Sequence, residues 1–227
     1  MAEAKPFSNV EFATNPEPRC PCVLLLDTSF SMQGEALTQL NNGVAQLRAE
    51  LVRDPLASKR IELAVVTFGG EVRILSEFTS VDRFIVPTLE AQSETPMGAA
   101  IHTGLDMIEH RKKMYKEHGI AYYRPWVFLV TDGYPTDHWR SSADRVHEGE
   151  HDSRFIFFCV GVLEADFPTL RQISVRPPLR LRRLEFREMF MWLSSSLSAV
   201  SRSRPSQGGQ AHFDDPAGPN GWATTSD

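Results

Sequence analysis

Little in this sequence points to a covalent framework, a membrane or a polyanion. Only three cysteines occur in 227 residues. Cys20 and Cys22 are too close in sequence for a comfortable disulfide, and Cys159 lies in an apolar run as a small hydrophobe. No further Cys or His stands at zinc spacing around them. The absence of a disulfide framework favours a reducing compartment. No apolar run approaches the length needed to span a bilayer. Residues 1–19 lack the basic start and apolar stretch of a signal peptide, so the expected location is the cytoplasm. Positive charge is not in excess: the formal net charge is -5. That balance argues against general binding to nucleic acid or a membrane surface. There is no Gly-x-x-x-x-Gly-Lys-Ser/Thr phosphate loop, no supported Ser-His-Asp or Cys-His arrangement, and no internal repeat.

What is present is an alternation of short buried strands and amphipathic helices. Residues 22–26 (CVLLL), 61–68 (IELAVVTF), 126–130 (WVFLV) and 155–162 (FIFFCVGV) are apolar runs of the kind that fill strands buried on both faces. Leu37, Leu40, Val44, Leu47 and Leu51 recur at helical spacing, and this helix should end before Pro55. Met97, Ile101, Leu105 and Ile108 form a second stripe, closed by Gly119. Residues 137–150 read as a third helix. Phe186, Phe190, Leu193, Leu197 and Val200 form a last one. Gly69-Gly70 joins the second strand to residues 71–78 as a hairpin. These elements predict an α/β domain with a doubly wound, mostly parallel sheet, one antiparallel edge strand and helices on both faces. The expected boundaries are an N-terminal extension over 1–19, the domain over 20–201 and a flexible tail over 202–227. Trp222 falls in that tail.

In open sheets of this type, ligands gather beyond the carboxyl ends of the strands. Asp27, Ser29 and Ser31 follow the first strand, Thr95 lies in a loop before the second helix, and Asp132 ends the strand at 126–130. Side chains in an extended segment repeat every two residues, so the Asp-x-Ser-x-Ser oxygens can face one side. Two carboxylates and three hydroxyls form a hard, all-oxygen donor set of the kind Mg²⁺ favours, with Mn²⁺ or Ca²⁺ as alternatives. With few charged ligands the ion stays electron-poor and can accept a carboxylate from outside.

This constellation resembles the metal-ion-dependent adhesion site of von Willebrand factor A domains. The resemblance implies that the two serines and the threonine bind the metal directly and the aspartates directly or through water. It also implies that a partner's Glu or Asp completes the shell. Over roughly residues 20–205, segments 27–32, 65–69 (VVTFG), 95–98 (TPMG), 124–126 (RPW), 131–137 (TDGYPTD) and 160–162 (VGV) are similar to the bacterial TerY/YegL branch. That likeness implies a tellurite-resistance or stress-response system and a kinase or phosphatase as the protein partner. Phe30 departs from the pattern, since many relatives carry Gly there.

Other features have plainer readings. Asp137 reads as an N-cap of the following helix, with a supporting acid near the metal as the alternative. His147 and His151 spell His-Glu-x-x-His, but Gly149 weakens the helix that motif needs and no third ligand follows. Arg176, Arg180, Arg182, Arg183 and Arg187 read as a solvated basic face, or as a docking site for an acidic partner or a nucleic acid. The expectation is therefore a non-enzymatic protein-binding module. The alternative is Mg²⁺-dependent phosphoryl transfer at the same strand ends. Against it, Ser29 occupies the position where an aspartyl-nucleophile mechanism requires a second acid.

Overall fold

The computed structural model describes residues 12, 14–205, 215–217 and 221–225. Strand β1 (Cys20–Asp27) leads through a 3-10 turn (Phe30–Met32) into α1 (Glu35–Arg53) and the short α2 (Ala57–Arg60). A hairpin of β2 (Ile61–Gly69) and β3 (Glu71–Ser80) follows. Then come α3 (Met97–Glu117), β4 (Trp126–Thr131), α4 (Arg140–His151), β5 (Ile156–Gly161) and α5 (Phe167–Ile173). The chain continues with β6 (Leu179–Leu181), α6 (Phe186–Arg202) and β7 (Ala223–Thr225).

The strands form one sheet in the order β3-β2-β1-β4-β5-β6-β7. β1 lies inside it, parallel to β2 and β4, and every residue of β1 is buried. Alternation then sorts its side chains. Cys22, Leu24 and Leu26 pack with α1 and α6, whereas Val23 and Leu25 pack with the apolar faces of α3, α4 and α5. The sheet is thus covered on both sides, as continuous apolar strands require.

Two expectations need correction. The sheet has two antiparallel edges, not one, because β7 runs antiparallel to β6 as β3 does to β2. The second edge comes from the segment expected to be a flexible tail. Trp222 is 4% exposed and packs at a tilt against Trp192, with ring centroids 5.7 Å apart. Its carbonyl accepts from Arg182 N, and Ala223 pairs with Leu181. Burial of the indole against the α6 side of the core outweighs the polar, Gly/Pro-rich context around it. The rest of the expected tail lies outside the described residues apart from 202–205, 215–217 and 221, as does most of the expected N-terminal extension. Within that extension, Phe12 and Arg19 are buried.

Arg19 belongs to an ionic cluster that ties β2 to α3 at the amino end of β2. Glu62 is fully buried and accepts from Arg19 Nε at 3.0 Å, from Arg111 Nε at 2.8 Å and Nη2 at 2.7 Å, and from the Tyr115 hydroxyl. A carboxylate with no water around it needs such partners.

Candidate functional site

The carboxyl ends of β1 and β4 are adjacent, with Leu26 opposite Val130. That register sets Asp27 beside Thr131 and brings the Asp27–Ser31 turn against Asp132. Asp27 is buried. Its Oδ1 accepts from the backbone of Ser29 at 2.8 Å, and its Oδ2 accepts from Thr131 Oγ1 at 2.5 Å. Ser29 Oγ lies 3.0 Å from Ser31 Oγ, and Ser31 Oγ donates to Asp132 Oδ1 at 2.7 Å. Thr95 approaches from the third loop. A Cβ on Gly133 would sit 3.3 Å from Thr95 Oγ1 and 3.7 Å from Asp27 Oδ2, so both oxygens flank the same bare glycine. The structure therefore brings Asp27, Ser29, Ser31, Thr95 and Asp132 into one cluster.

Both carboxyls of this cluster sit where burial disfavours their charged form. Burial pushes the Asp27 carboxyl up to about 6, and the nearby Asp132 charge adds to this; the hydrogen bonds from Ser29 and Thr131 oppose it. Burial also raises Asp132, against the hydrogen bond from Ser31. Two desolvated carboxylates sharing a site favour either a proton or a metal ion. The donors are oxygen throughout and partly satisfied by one another. The set fits a hard divalent cation and does not fit zinc or a redox metal. Among the described residues there is no grouping of three or more His, Cys, Asp or Glu placed to hold a metal, which also removes the His147–His151 reading. Both those histidines are exposed on α4.

Main-chain bonds hold the three loops in place. Thr28 N donates to Phe68 O at 3.1 Å, Gln92 N to Thr28 O at 2.6 Å, and Phe30 N to Ser93 O at 3.4 Å. This closeness requires Gly69, since a Cβ there would lie 2.6 Å from Thr28 Oγ1. Thr136 N donates to Thr95 O at 2.9 Å, and Thr136 Oγ1 accepts from Thr95 N at 3.1 Å.

Asp137 needs the third correction. It caps the helix before it, not the one after. Its two oxygens accept from Gly98 N at 2.9 Å and Ala99 N at 2.7 Å, at the amino end of α3. Two backbone donors and the positive end of the α3 dipole outcompete the start of α4, where Trp139 stands at the cap without a side-chain bond. Gly98 permits the approach, because a Cβ there would meet Trp139 Cα at 2.8 Å.

Sequence reasoning missed Thr131, the direct donor to Asp27. It opens the segment 131–137 and lies opposite Asp27 in the strand register, but its hydroxyl was not counted among the donors. Of the arginine cluster, Arg176 pairs with Glu150 at 3.1 Å, together with Arg124 at 2.8 Å. No ion pair of Arg180, Arg182, Arg183 or Arg187 occurs among the described residues.

A Rossmann-like α/β sheet with a polar cluster on three loops at its carboxyl edge defines the class of domain. The family model of the von Willebrand factor type A domain matches residues 22–188, and the chain belongs to that family. Among solved structures, it is similar to a von Willebrand factor type A protein from Catenulispora acidiphila (16% identity, TM-score 0.58, 80% of this chain and 43% of that one). It is also similar to the pilus adhesin SpaC of Lactobacillus rhamnosus GG (12% identity, TM-score 0.65, 82% of this chain and 32% of that one). A third is proximal thread matrix protein 1 of the mussel byssus (15% identity, TM-score 0.54, 81% of this chain and 49% of that one). The chain spans less than half the length of each, and the likeness concerns the fold. No curated protein matches the sequence. No helix among the described residues is long and apolar enough to cross a membrane.

Proposed function

We propose that the chain is a protein-binding module that holds one divalent cation and uses it to capture an acidic side chain of a partner. Asp27, Ser29, Ser31, Thr95 and Asp132 would hold the ion, Mg²⁺ in the first place and Mn²⁺ or Ca²⁺ as alternatives. The bound ion would act as a Lewis acid that accepts a carboxylate. The observation that carries this reading is the chain of contacts from Ser29 Oγ to Ser31 Oγ to Asp132 Oδ1, set beside the buried Asp27 and the Thr95 hydroxyl. Ser29 stands where an aspartyl-nucleophile mechanism requires a second acid, which supports reading the module as non-enzymatic. The TerY/YegL-like motifs support a bacterial tellurite-resistance or stress-response setting, a kinase or phosphatase of that system as the partner, and the cytoplasm as the location. The three cysteines, all free and buried, accord with a reducing compartment.

Calorimetric titration of Mg²⁺ into EDTA-stripped protein tests the site. Binding of one ion, lost in Asp27→Asn, supports the proposal. Absence of binding to the wild-type chain, together with failure of Mg²⁺ to promote capture of any glutamate-bearing peptide, rejects it.

A further inference from the structure

The partner segment can be specified further, on the basis of the cation-capture reading above. Register across the sheet sets Asp27, Thr131, Gly161 and Arg180 in one row, through Leu26 opposite Val130, Thr131 opposite Gly161, and Gly161 opposite Arg180. Three strand spacings, about 14 Å, separate the ends of that row. At the far end, Arg180 stacks its guanidinium on the Phe167 ring at 3.8 Å and donates to Leu163 O at 3.3 Å. Its side chain is held in place by these contacts yet carries no ion pair among the described residues, unlike its neighbour Arg176. Arg182 and Arg183 follow it past the end of β6, also without acidic partners among the described residues.

Apolar side chains stand exposed around this same edge. Phe30, between the two serines of the turn, is 61% exposed; Tyr134, two residues past Asp132, is 68% exposed; and Leu163, just beyond β5, is 43% exposed. Leu163 holds φ at 52°, a left-handed conformation unfavourable for a leucine. A strained backbone that leaves an apolar side chain in water, between the oxygen cluster and an arginine with no ion pair among the described residues, points to a binding surface.

We infer that this edge binds an extended, acidic protein segment of the pattern acid-x-apolar-x-acid. One carboxylate goes to the cation, the central apolar side chain packs against Leu163 and the exposed aromatics, and the second carboxylate goes to Arg180. In an extended chain, residues i, i+2 and i+4 face the same side, and four residues span about 13 Å. That reach is of the order of the backbone row from Asp27 to Arg180, whose guanidinium turns back toward Leu163 O and so lies nearer the cluster than the end of the row. The charges are complementary at both ends, and the planar guanidinium suits a carboxylate in two-point contact.

The test uses the full chain saturated with Mg²⁺ and the synthetic peptide acetyl-SESLSES-amide. Controls replace either glutamate by glutamine, or the leucine by serine. Titration calorimetry should show the double-acid peptide binding at least about tenfold more tightly than either single-acid control, the size of one charge-assisted contact. Arg180→Gln should bring the double-acid peptide down to the single-acid level while Mg²⁺ affinity stays unchanged. Replacing the leucine, or Phe30→Gly, should also weaken binding. Should Arg180→Gln fail to fold, the peptide comparison on the wild-type chain still decides. Equal affinity for double-acid and single-acid peptides, with EDTA abolishing both, overturns this inference and leaves cation capture standing. No Mg²⁺-dependent binding of any peptide up to millimolar concentration overturns both.

Discussion

Asp27→Asn should stabilise the metal-free protein while removing its response to metal. The side chain is buried, and its carboxyl is pushed from 3.8 up to about 6. At neutral pH that displacement corresponds to about 3 kcal/mol against the charged form. Because the folded state binds the proton more tightly than the unfolded state, this carboxyl's contribution to stability falls as pH rises from about 4 to about 6, and the full penalty applies above that range. The amide is nearly isosteric. Its oxygen can keep the bond from Ser29 N, while its NH₂ must face the Thr131 hydroxyl, which has to turn and accept. The displacement is already net of that charge-assisted bond; turning the hydroxyl and refitting the amide cost roughly 1–2 kcal/mol. The net gain in EDTA is then about 1–2 kcal/mol, or roughly 4 °C in Tm for a chain of this size. Thermal unfolding in EDTA and in 10 mM Mg²⁺, at pH 5 and pH 7.5, reads both effects. The variant's advantage should be larger at pH 7.5 and vanish or reverse in Mg²⁺. A variant less stable than wild type in EDTA at pH 7.5 would refute the buried-charge argument.

Three other perturbations address separate parts of the structure. Mg²⁺ at about a hundred times its Kd should raise wild-type stability by about 2.7 kcal/mol, and Ser31→Ala should reduce that shift. Gly98→Ala drives a Cβ to 2.8 Å from Trp139 Cα; despite the better helix propensity of Ala it should cost about 1–2 kcal/mol and weaken Mg²⁺ binding, both measurable in one titration series. Glu62→Gln leaves the buried Arg19 and Arg111 without their carboxylate and should cost about 3–5 kcal/mol in urea unfolding, with Mg²⁺ affinity unchanged in the folded fraction.

The parallel core was legible because each central strand is an uninterrupted apolar run and each long helix carries a clear stripe. α5, β6 and β7 were not: seven residues or fewer give periodicity too little length to register. Trp222 was misassigned because composition reports the neighbours of a residue, whereas its burial depends on Trp192 and Leu181, brought close only by the fold. The oxygen cluster was legible as a set of residue types at strand ends. Its support was not. Asp137 was read locally, toward the helix that follows it in sequence, while its hydrogen bonds run 38 and 39 residues back to Ala99 and Gly98. Local sequence shows which residues can cap a helix; only tertiary structure shows which helix is capped.

That long-range cap bears on whether a cation at this site would be structural or functional. Helix α3 is fixed at its amino end by Asp137 and farther along by the bonds of Arg111 and Tyr115 to Glu62. The Asp27–Ser31 turn is held through Thr28 to Phe68 and Gln92, and the Thr95 loop through Thr136. None of these bonds uses a side-chain oxygen of the cluster. The frame around the site is therefore carried by the protein's own hydrogen bonds, unlike that of small domains whose fold depends on metal ligation. A metal ion bound here would not be needed to hold the loops together. On the cation-capture reading, its free energy of binding would be added to that frame, and the ion would be available to an incoming carboxylate. Chelation should accordingly leave far-UV and near-UV circular dichroism of the chain nearly unchanged. Loss of near-UV signal in EDTA would mean that the loops depend on the ion, and that its role is structural.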